Sequence, residues 1–243
     1  MSPETDEYIK LALGGDRMAI SRCITLAENG GAQGRDVVNA MRQAIRTPGR
    51  KHAMKIGITG PPGSGKSTLV SRLSEIFAEQ GHMVGVVAVD PSSPFTGGAI
   101  LGDRVRMEAI ARPEKVFFRS MGSRGASGGL SEACAGAVTI LEACGFEPIL
   151  IETVGVGQAD IEIARHADIV VVVCVPGLGD DIQAIKAGIM EIGDLYVVNK
   201  CDLPGADRTA HELRSSLRKP VLLVSAVVGT GMRELTAKIY EKN

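Results

Sequence analysis

The feature that most constrains this chain is a phosphate-binding loop at residues 60–67, which reads Gly-Pro-Pro-Gly-Ser-Gly-Lys-Ser. A short apolar run, residues 55–59, precedes the loop, and residues 68–77 follow it with apolar side chains at helical spacing. This order of strand, glycine-rich turn and helix lets backbone N–H groups and a helix N-terminus face a phosphate. A turn that only joins a strand to a helix would need neither the lysine nor the serine. The pattern therefore predicts a nucleoside triphosphate site, with contacts from Gly60, Pro61, Pro62, Gly63, Ser64, Gly65, Lys66, Ser67 and Thr68.

The rest of the chain indicates the fold around this loop. From residue 54 onward, apolar strand-like runs alternate with helical patterns, at residues 55–59, 83–89, 116–119, 148–151, 169–175, 195–198 and 221–224. Such alternation is typical of an α/β fold in which helices cover both faces of a mostly parallel sheet. Together with the phosphate loop, it predicts a P-loop NTPase domain over residues 54–243. Ligands in such folds bind beyond the carboxyl ends of the strands.

Residues 1–53 predict a helical extension, because three amphipathic segments occur there without strand alternation. The segments begin near Tyr8, Asp16 and Val37, and the third ends before Pro48. Two interpretations remain open. The extension is either a contact for a partner or a second copy, or a helical cap packed on the main domain.

Composition narrows the class of protein. The formal net charge of −1 gives no indication of a broad nucleic-acid or anionic membrane surface. Five cysteines without a C-x-x-C pair, and an acidic start without a leader pattern, favour a reduced, cytoplasmic protein. The longest apolar run, residues 169–175, is too short to span a bilayer.

A second motif points to the base. Asn199, Lys200 and Asp202 follow the apolar run 195–198, where a strand is predicted to end. A buried aspartate carboxylate can accept hydrogen bonds from the ring N–H and the exocyclic amine of guanine, and it would reject adenine. Asn199 and Lys200 would brace the loop and cover the base. An ordinary polar turn is the alternative, but the phosphate loop and the later Ser225, Ala226 and Val227 favour GTP over ATP.

Acidic residues at strand ends are candidates for a metal site. Asp90 ends the run 83–89, and Glu152 ends the run 148–151. Together with the Ser67 hydroxyl, such carboxylates can hold Mg²⁺ beside a phosphate loop. Asp103 is a third candidate. The alternatives are a turn cap for Asp90 and a salt-bridge residue for Asp103.

Two further segments read as loops that close over the nucleotide, residues 90–104 and 176–186. Surface loops without a switching role are the alternative. Lys186, in the second loop, is predicted to reach the nucleotide in one state, with a solvated helix lysine as the other interpretation. Lys66, Asp90, Glu152 and Lys186 are the predicted catalytic residues.

The order of these motifs resembles the MeaB-type GTPases, the methylmalonyl-CoA mutase-associated GTPases formerly named arginine/ornithine transport ATPases. The stretches 90–107 and 152–158 carry the most specific part of the resemblance. It implies a cytoplasmic GTPase that chaperones an adenosylcobalamin-dependent acyl-CoA mutase, gating its cofactor loading and protecting it from inactivation. It also implies that residues 176–186 relay the nucleotide state to the mutase.

The resemblance leaves some expectations open. Family members usually continue into a C-terminal dimerisation arm, which is expected to be absent here, so a homodimer is in doubt. Small GTPases place a water-orienting glutamine directly after a switch glycine, whereas Val156 follows Gly155 and Gln158 comes later. We therefore expect Mg²⁺-dependent hydrolysis of GTP to GDP at a low intrinsic rate. The alternative functions are a metallochaperone GTPase and a transport-associated NTPase or kinase.

Overall fold

A computed structural model describes residues 2–49, 51–90, 114–122, 129–153, 166–177 and 189–242 of the chain. Over these residues the chain forms three N-terminal helices, followed by seven strands with helices between most of them. The strands are β1 Lys55–Thr59, β2 Val84–Asp90, β3 Val116–Gly122, β4 Ile149–Glu152, β5 Ile169–Cys174, β6 Leu195–Val198 and β7 Val221–Leu223. The helices are α1 Pro3–Leu13, α2 Arg17–Asn29, α3 Gly31–Ile45, α4 Lys66–Glu79, α5 Gly129–Ala143, α6 Ile189–Ile192, α7 Ala206–Ser216 and α8 Met232–Lys242.

The strands form a seven-stranded sheet in the order β3-β2-β4-β1-β5-β6-β7. The pairs β1–β5, β2–β3, β5–β6 and β6–β7 are all parallel. Strand β5 is buried along its whole length, as its run of isoleucine and valine indicates for a strand covered on both faces. The predicted α/β fold with a parallel sheet is thus confirmed, and the observed strand bounds differ from the predicted ones by no more than a few residues.

Packing divides the chain into two compact units. The first consists of Met1–Met54 and Phe77–Ile149, and the second of Lys55–Ile76 and Leu150–Asn243. The N-terminal helices therefore pack in the same unit as β2, β3 and α5. A domain boundary between residues 53 and 54 remains a prediction.

Within the first unit, the N-terminal helices begin and pack for identifiable reasons. Ser2 and Asp16 cap α1 and α2, and the Asp16 carboxylate accepts a hydrogen bond from the N–H of Ala19 at 2.7 Å. Helices α2 and α3 lie against α5 through small residues: a Cβ at Gly136 would lie 3.3 Å from the Ala27 and Val38 side chains. The three predicted amphipathic segments are confirmed as helices, and each has buried residues on one face, such as Ile9, Ile20 and Val37.

Within the second unit, β5, β6 and β7 pack against α7 through buried residues that include Val172, Tyr196, Ala210 and Leu213. This core fixes the ends of β5 and β6, from which two of the predicted site loops emerge. None of the helices among the described residues is both long and apolar enough to cross a bilayer.

Candidate nucleotide site

The phosphate loop joins β1 to α4 within the second unit, and its glycines are required by close approaches. Gly60 has φ +142, and a Cβ there would overlap the carbonyl oxygen of Val173. Gly65 has φ +84, and its Cβ would lie 2.5 Å from Nδ2 of Asn199. Both positions combine a left-handed backbone with a close neighbour, so only glycine allows this path. The loop leads directly into the N-terminus of α4, as the sequence predicts.

Lys66 is held inside the loop rather than extended into solvent. Its side chain is 6% exposed, and Nζ donates hydrogen bonds to the carbonyl oxygens of Gly60 at 2.8 Å and Pro61 at 3.0 Å. The buried ammonium thus lies against the first two residues of the loop. A phosphate bound there would find a positive charge already in position.

Asn199 connects the predicted base motif to the phosphate loop. This side chain is 2% exposed, its Nδ2 donates to the carbonyl oxygen of Ser64 at 2.9 Å, and its Oδ1 accepts from the N–H of Ala226 at 3.1 Å. Lys200 adopts φ +57, and its Nζ donates to the carbonyl oxygen of Gly63 at 2.8 Å. Three segments far apart in sequence therefore meet at the two residues that were predicted to brace this loop.

Asp202 is exposed, and no hydrogen bond of its carboxylate is recorded among the described residues. The sequence predicts a buried carboxylate, and the structure corrects this, because Asp202 lies in an exposed turn after β6. The neighbouring Ser225 is 1% exposed and Ala226 5%, whereas Val227 is 83% exposed. Burial raises the pKa of the Cys201 thiol and the adjacent Asp202 charge adds to the effect, so this thiol stays neutral near pH 7.

The predicted metal ligands Ser67 and Glu152 lie together. The Ser67 hydroxyl donates to Oε1 of Glu152 at 2.5 Å, and Glu152 is 8% exposed. A hydroxyl and a carboxylate are the hard oxygen ligands that Mg²⁺ prefers, so the residues present fit this ion. Among the described residues, no group of three or more histidine, cysteine, aspartate or glutamate side chains is arranged to hold a metal.

Of the remaining predicted site residues, some are exposed and others lie outside the described part of the chain. Pro62 and Thr68 are exposed on the loop and the first turn of α4. Asp90 ends β2 in the first unit, and its side chain lies outside the described part of the chain. Asp103 and Lys186 also lie outside the described residues.

Sequence reasoning missed a buried pair of hydroxyls beside the site. Thr153 Oγ1 donates to Thr59 Oγ1 at 3.2 Å, and the two threonines are 3% and 0% exposed. Thr59 directly precedes the phosphate loop and Thr153 directly follows Glu152. Their positions at two strand ends were the available signal. The Ser64 hydroxyl is also buried, without a hydrogen-bond partner among the described residues.

Comparison with known proteins agrees with this arrangement. A family model described as methylmalonyl Co-A mutase-associated GTPase MeaB matches residues 20–243. A protein of Pyrococcus abyssi named as a GTPase is 46% identical over 97% of this chain and 75% of its own length. The GTPase ArgK of Escherichia coli is 40% identical over 81% of this chain and 59% of its own length. The mouse methylmalonic aciduria type A homolog is 35% identical over 91% of this chain and 59% of its own length.

Solved structures agree on the fold. The crystal structure of an LAO/AO transport system kinase has a TM-score of 0.78 and 28% identity, covering all of this chain and 76% of the other. The hydrogenase maturation factor HypB of Archaeoglobus fulgidus, at 20% identity and a TM-score of 0.58, covers 86% of this chain and 98% of its own and shows the shared fold alone. With a family model over nearly the whole chain and a phosphate loop tied to a guanine-type motif, the chain belongs to the MeaB family of GTPases.

Proposed function

We propose that this GTPase is a magnesium-dependent switch that chaperones an adenosylcobalamin-dependent acyl-CoA mutase. The observation that carries the proposal is the match of residues 20–243 to a family named for its association with methylmalonyl-CoA mutase. The site geometry supports the nucleotide half of the proposal, because Asn199 joins the phosphate loop to the loop of Asp202.

The phosphates are proposed to lie in the loop that Lys66 closes. The Lys66 ammonium would exchange its carbonyl partners for phosphate oxygens, which are stronger acceptors because they are charged. Charge that develops on the phosphates during hydrolysis would then be stabilised by a group already in place. Asp90 and Lys186 remain proposed contributors to the same step.

Mg²⁺ is proposed to be held by Ser67 and Glu152, with Asp90 and Asp103 as further proposed ligands. When bound, the ion would neutralise phosphate charge and orient the terminal phosphate. The Ser67 hydroxyl now donates to Glu152, so it would turn its lone pairs toward the ion. The buried Glu152 carboxylate would gain a cation that offsets its burial.

Guanine is proposed to be recognised by Asp202 at the exposed mouth of the site. Its carboxylate would accept from both guanine donors, with Ala226 and Val227 against the base and Lys200 along its face. Binding would cover a carboxylate that is now exposed. Adenine would place a lone pair against it, which explains a preference for GTP over ATP.

Neither alternative function is favoured by a specific observation of this chain. The likeness to HypB proteins lies at 18–20% identity and concerns the fold. The 28% identical kinase is named for a transport system, but the Asp202 motif of this chain favours a guanine nucleotide.

The partner is tested by mixing the protein with a purified adenosylcobalamin-dependent acyl-CoA mutase of the same organism. We expect a complex by size-exclusion chromatography whose stability differs between GDP and a non-hydrolysable GTP analogue. We also expect GTP turnover to rise in the complex. An unchanged turnover together with no complex in either nucleotide would overturn the chaperone role and leave the GTPase assignment standing.

A further inference from the structure

The first unit contains an open groove of about 870 Å³ beside the edge strand β3, lined by α1, α2 and β3. We call it the arm groove and define it by Tyr8, Leu11, Met18, Arg22 and Phe118. None of the residues that the nucleotide proposal uses takes part in its lining. The groove is therefore a second concave surface, in the helical part of the chain.

One wall of the arm groove is a sheet edge with main-chain groups facing outward. The N–H of Val84 bonds to the carbonyl oxygen of Lys115 at 2.8 Å, and Val84 pairs with Val116 in the parallel register. In such a ladder the main-chain N–H and C=O groups of alternate residues face the neighbouring strand. The main-chain groups of Val116 and Phe118 therefore face away from β2. Arg17 confirms this direction, because it donates to the outward carbonyl oxygen of Val116 at 2.6 Å.

Arg17 covers only the start of this edge. Its second guanidinium nitrogen donates to the carbonyl oxygen of Glu114 at 3.0 Å, which leaves the peptide group of Phe118 as the next outward-facing position. No hydrogen bond of Phe118 to an outer neighbour is recorded within the described ranges. An edge position of this kind accepts an additional strand.

The other wall combines exposed apolar side chains with a positive charge. Met18 is 84% exposed and Leu11 47%, although both belong to helices whose other faces are buried. The Arg22 guanidinium lies 5.8 Å above the centre of the Tyr8 ring, and no ion pair of Arg22 is recorded in the described part of the chain. The Asp16 carboxylate at the groove already caps α2.

We propose that the arm groove receives an extended, acidic segment of the client mutase, an inference that rests on the proposed function. The segment would pair its main chain with the outward edge of β3 at Phe118. Its apolar side chains would cover Leu11 and Met18, and a carboxylate would pair with Arg22. Main-chain pairing supplies affinity in this mode of recognition, and the alternating side chains supply specificity. The helical extension is then a partner contact as well as a packed cap.

The test uses groove variants with matched controls of the same residue type. Met18→Glu and Arg22→Glu change the arm groove, whereas Met83→Glu and Arg233→Glu change an exposed methionine and an exposed arginine that do not line it. Binding of the mutase to each variant is measured by biolayer interferometry, alongside GTP turnover with and without mutase. We expect each groove variant to bind about tenfold more weakly, with unchanged basal turnover, and each control to match the wild type.

Amide hydrogen exchange gives a readout that does not depend on substitution. The amide of Phe118 should become protected when the mutase binds, because an added strand would engage it. If the wild type binds the mutase but the groove variants bind equally well and Phe118 exchanges as before, the groove inference is overturned and the chaperone role stands. If the wild type neither binds nor responds to the mutase, the chaperone role fails and this inference fails with it.

Discussion

The two units of this chain differ in the kind of residue that determines their structure. In the second unit, single residues perform tasks that few residue types can perform, such as the ammonium of Lys66 and the side-chain amide of Asn199. In the first unit, the helices pack through apolar and small residues that contribute shape rather than chemistry, with Gly136 against Ala27 as an example. The functional residues of the second unit can therefore be recognised as a sequence motif. The helix packing of the first unit becomes apparent only in the folded structure.

The largest effect should come from Lys66→Ala in the second unit. Loss of the buried ammonium removes its hydrogen bonds to the loop and the positive charge that is proposed to face the phosphates. GTP turnover should fall by about 10³-fold, measured as phosphate release at saturating Mg²⁺.

Lys238→Ala, an exposed lysine paired with Glu241, is the control and should keep the wild-type rate. If Lys66→Ala retained most of the activity, the contrast between the units would lose its clearest example.

The first unit should respond to changes of shape rather than of chemistry. A Cβ at Gly34 would lie 2.5 Å from the carbonyl oxygen of Leu26, which is backbone and cannot move aside easily. Gly34→Ala should therefore lower the free energy of unfolding by about 1–3 kcal/mol. Gly136→Ala, whose Cβ would meet side chains at 3.3 Å, should cost less.

Chemical denaturation of both variants, with GTP turnover per folded molecule, measures this difference. Equal losses of stability would mean that these helices tolerate crowding of backbone and of side chains alike. A loss of turnover in the folded Gly34 variant would contradict the assignment of this helix to packing.

A smaller effect, on the free energy of unfolding at alkaline pH, is expected from Tyr196. Burial raises the pKa of this fully buried phenol to about 12, with Cys174 and Asp194 adding to the shift. The folded state therefore retains the proton at pH values where the unfolded state, with a pKa of about 10, has lost it. The contribution of Tyr196 to the free energy of unfolding is complete below pH ~10. It is lost as the pH rises toward ~12, by about 1.4 kcal/mol per pH unit.

Tyr196→Phe removes the ionisable group while keeping the ring. Its free energy of unfolding should fall less steeply than that of the wild type between pH ~10 and ~12. Tyr8→Phe is the control, since that half-buried ring lies in the first unit. Parallel curves for the wild type and Tyr196→Phe would show that the phenol does not titrate as its burial implies.

The fold was largely predictable because strand periodicity is local. The bounds of β1 and β6 agree with prediction, and the other strands shift by a few residues at their ends. The phosphate loop and the meeting of Asn199 with it were also predictable, because parallel strand ends share one edge of the sheet.

Other features depend on contacts that no local pattern carries. The Thr153–Thr59 hydroxyl pair joins residues 94 positions apart, and their positions at strand ends do not show that these two side chains meet. The arm groove depends on the docking of α1 and α2 beside β3, which amphipathicity alone does not specify. The exposure of Asp202 could not be predicted either, because the motif gives the order of residues and not their burial.

The most direct test of the nucleotide assignment is equilibrium binding of GTP, ATP and XTP to the wild type and to Asp202→Asn. The wild type should prefer GTP. The variant should bind GTP about 10- to 100-fold more weakly and XTP more tightly, because the amide can donate where the carboxylate could only accept. Asp207→Asn, an exposed aspartate in the first turn of α7, should behave as the wild type. Unchanged GTP affinity in Asp202→Asn would contradict the account of guanine recognition.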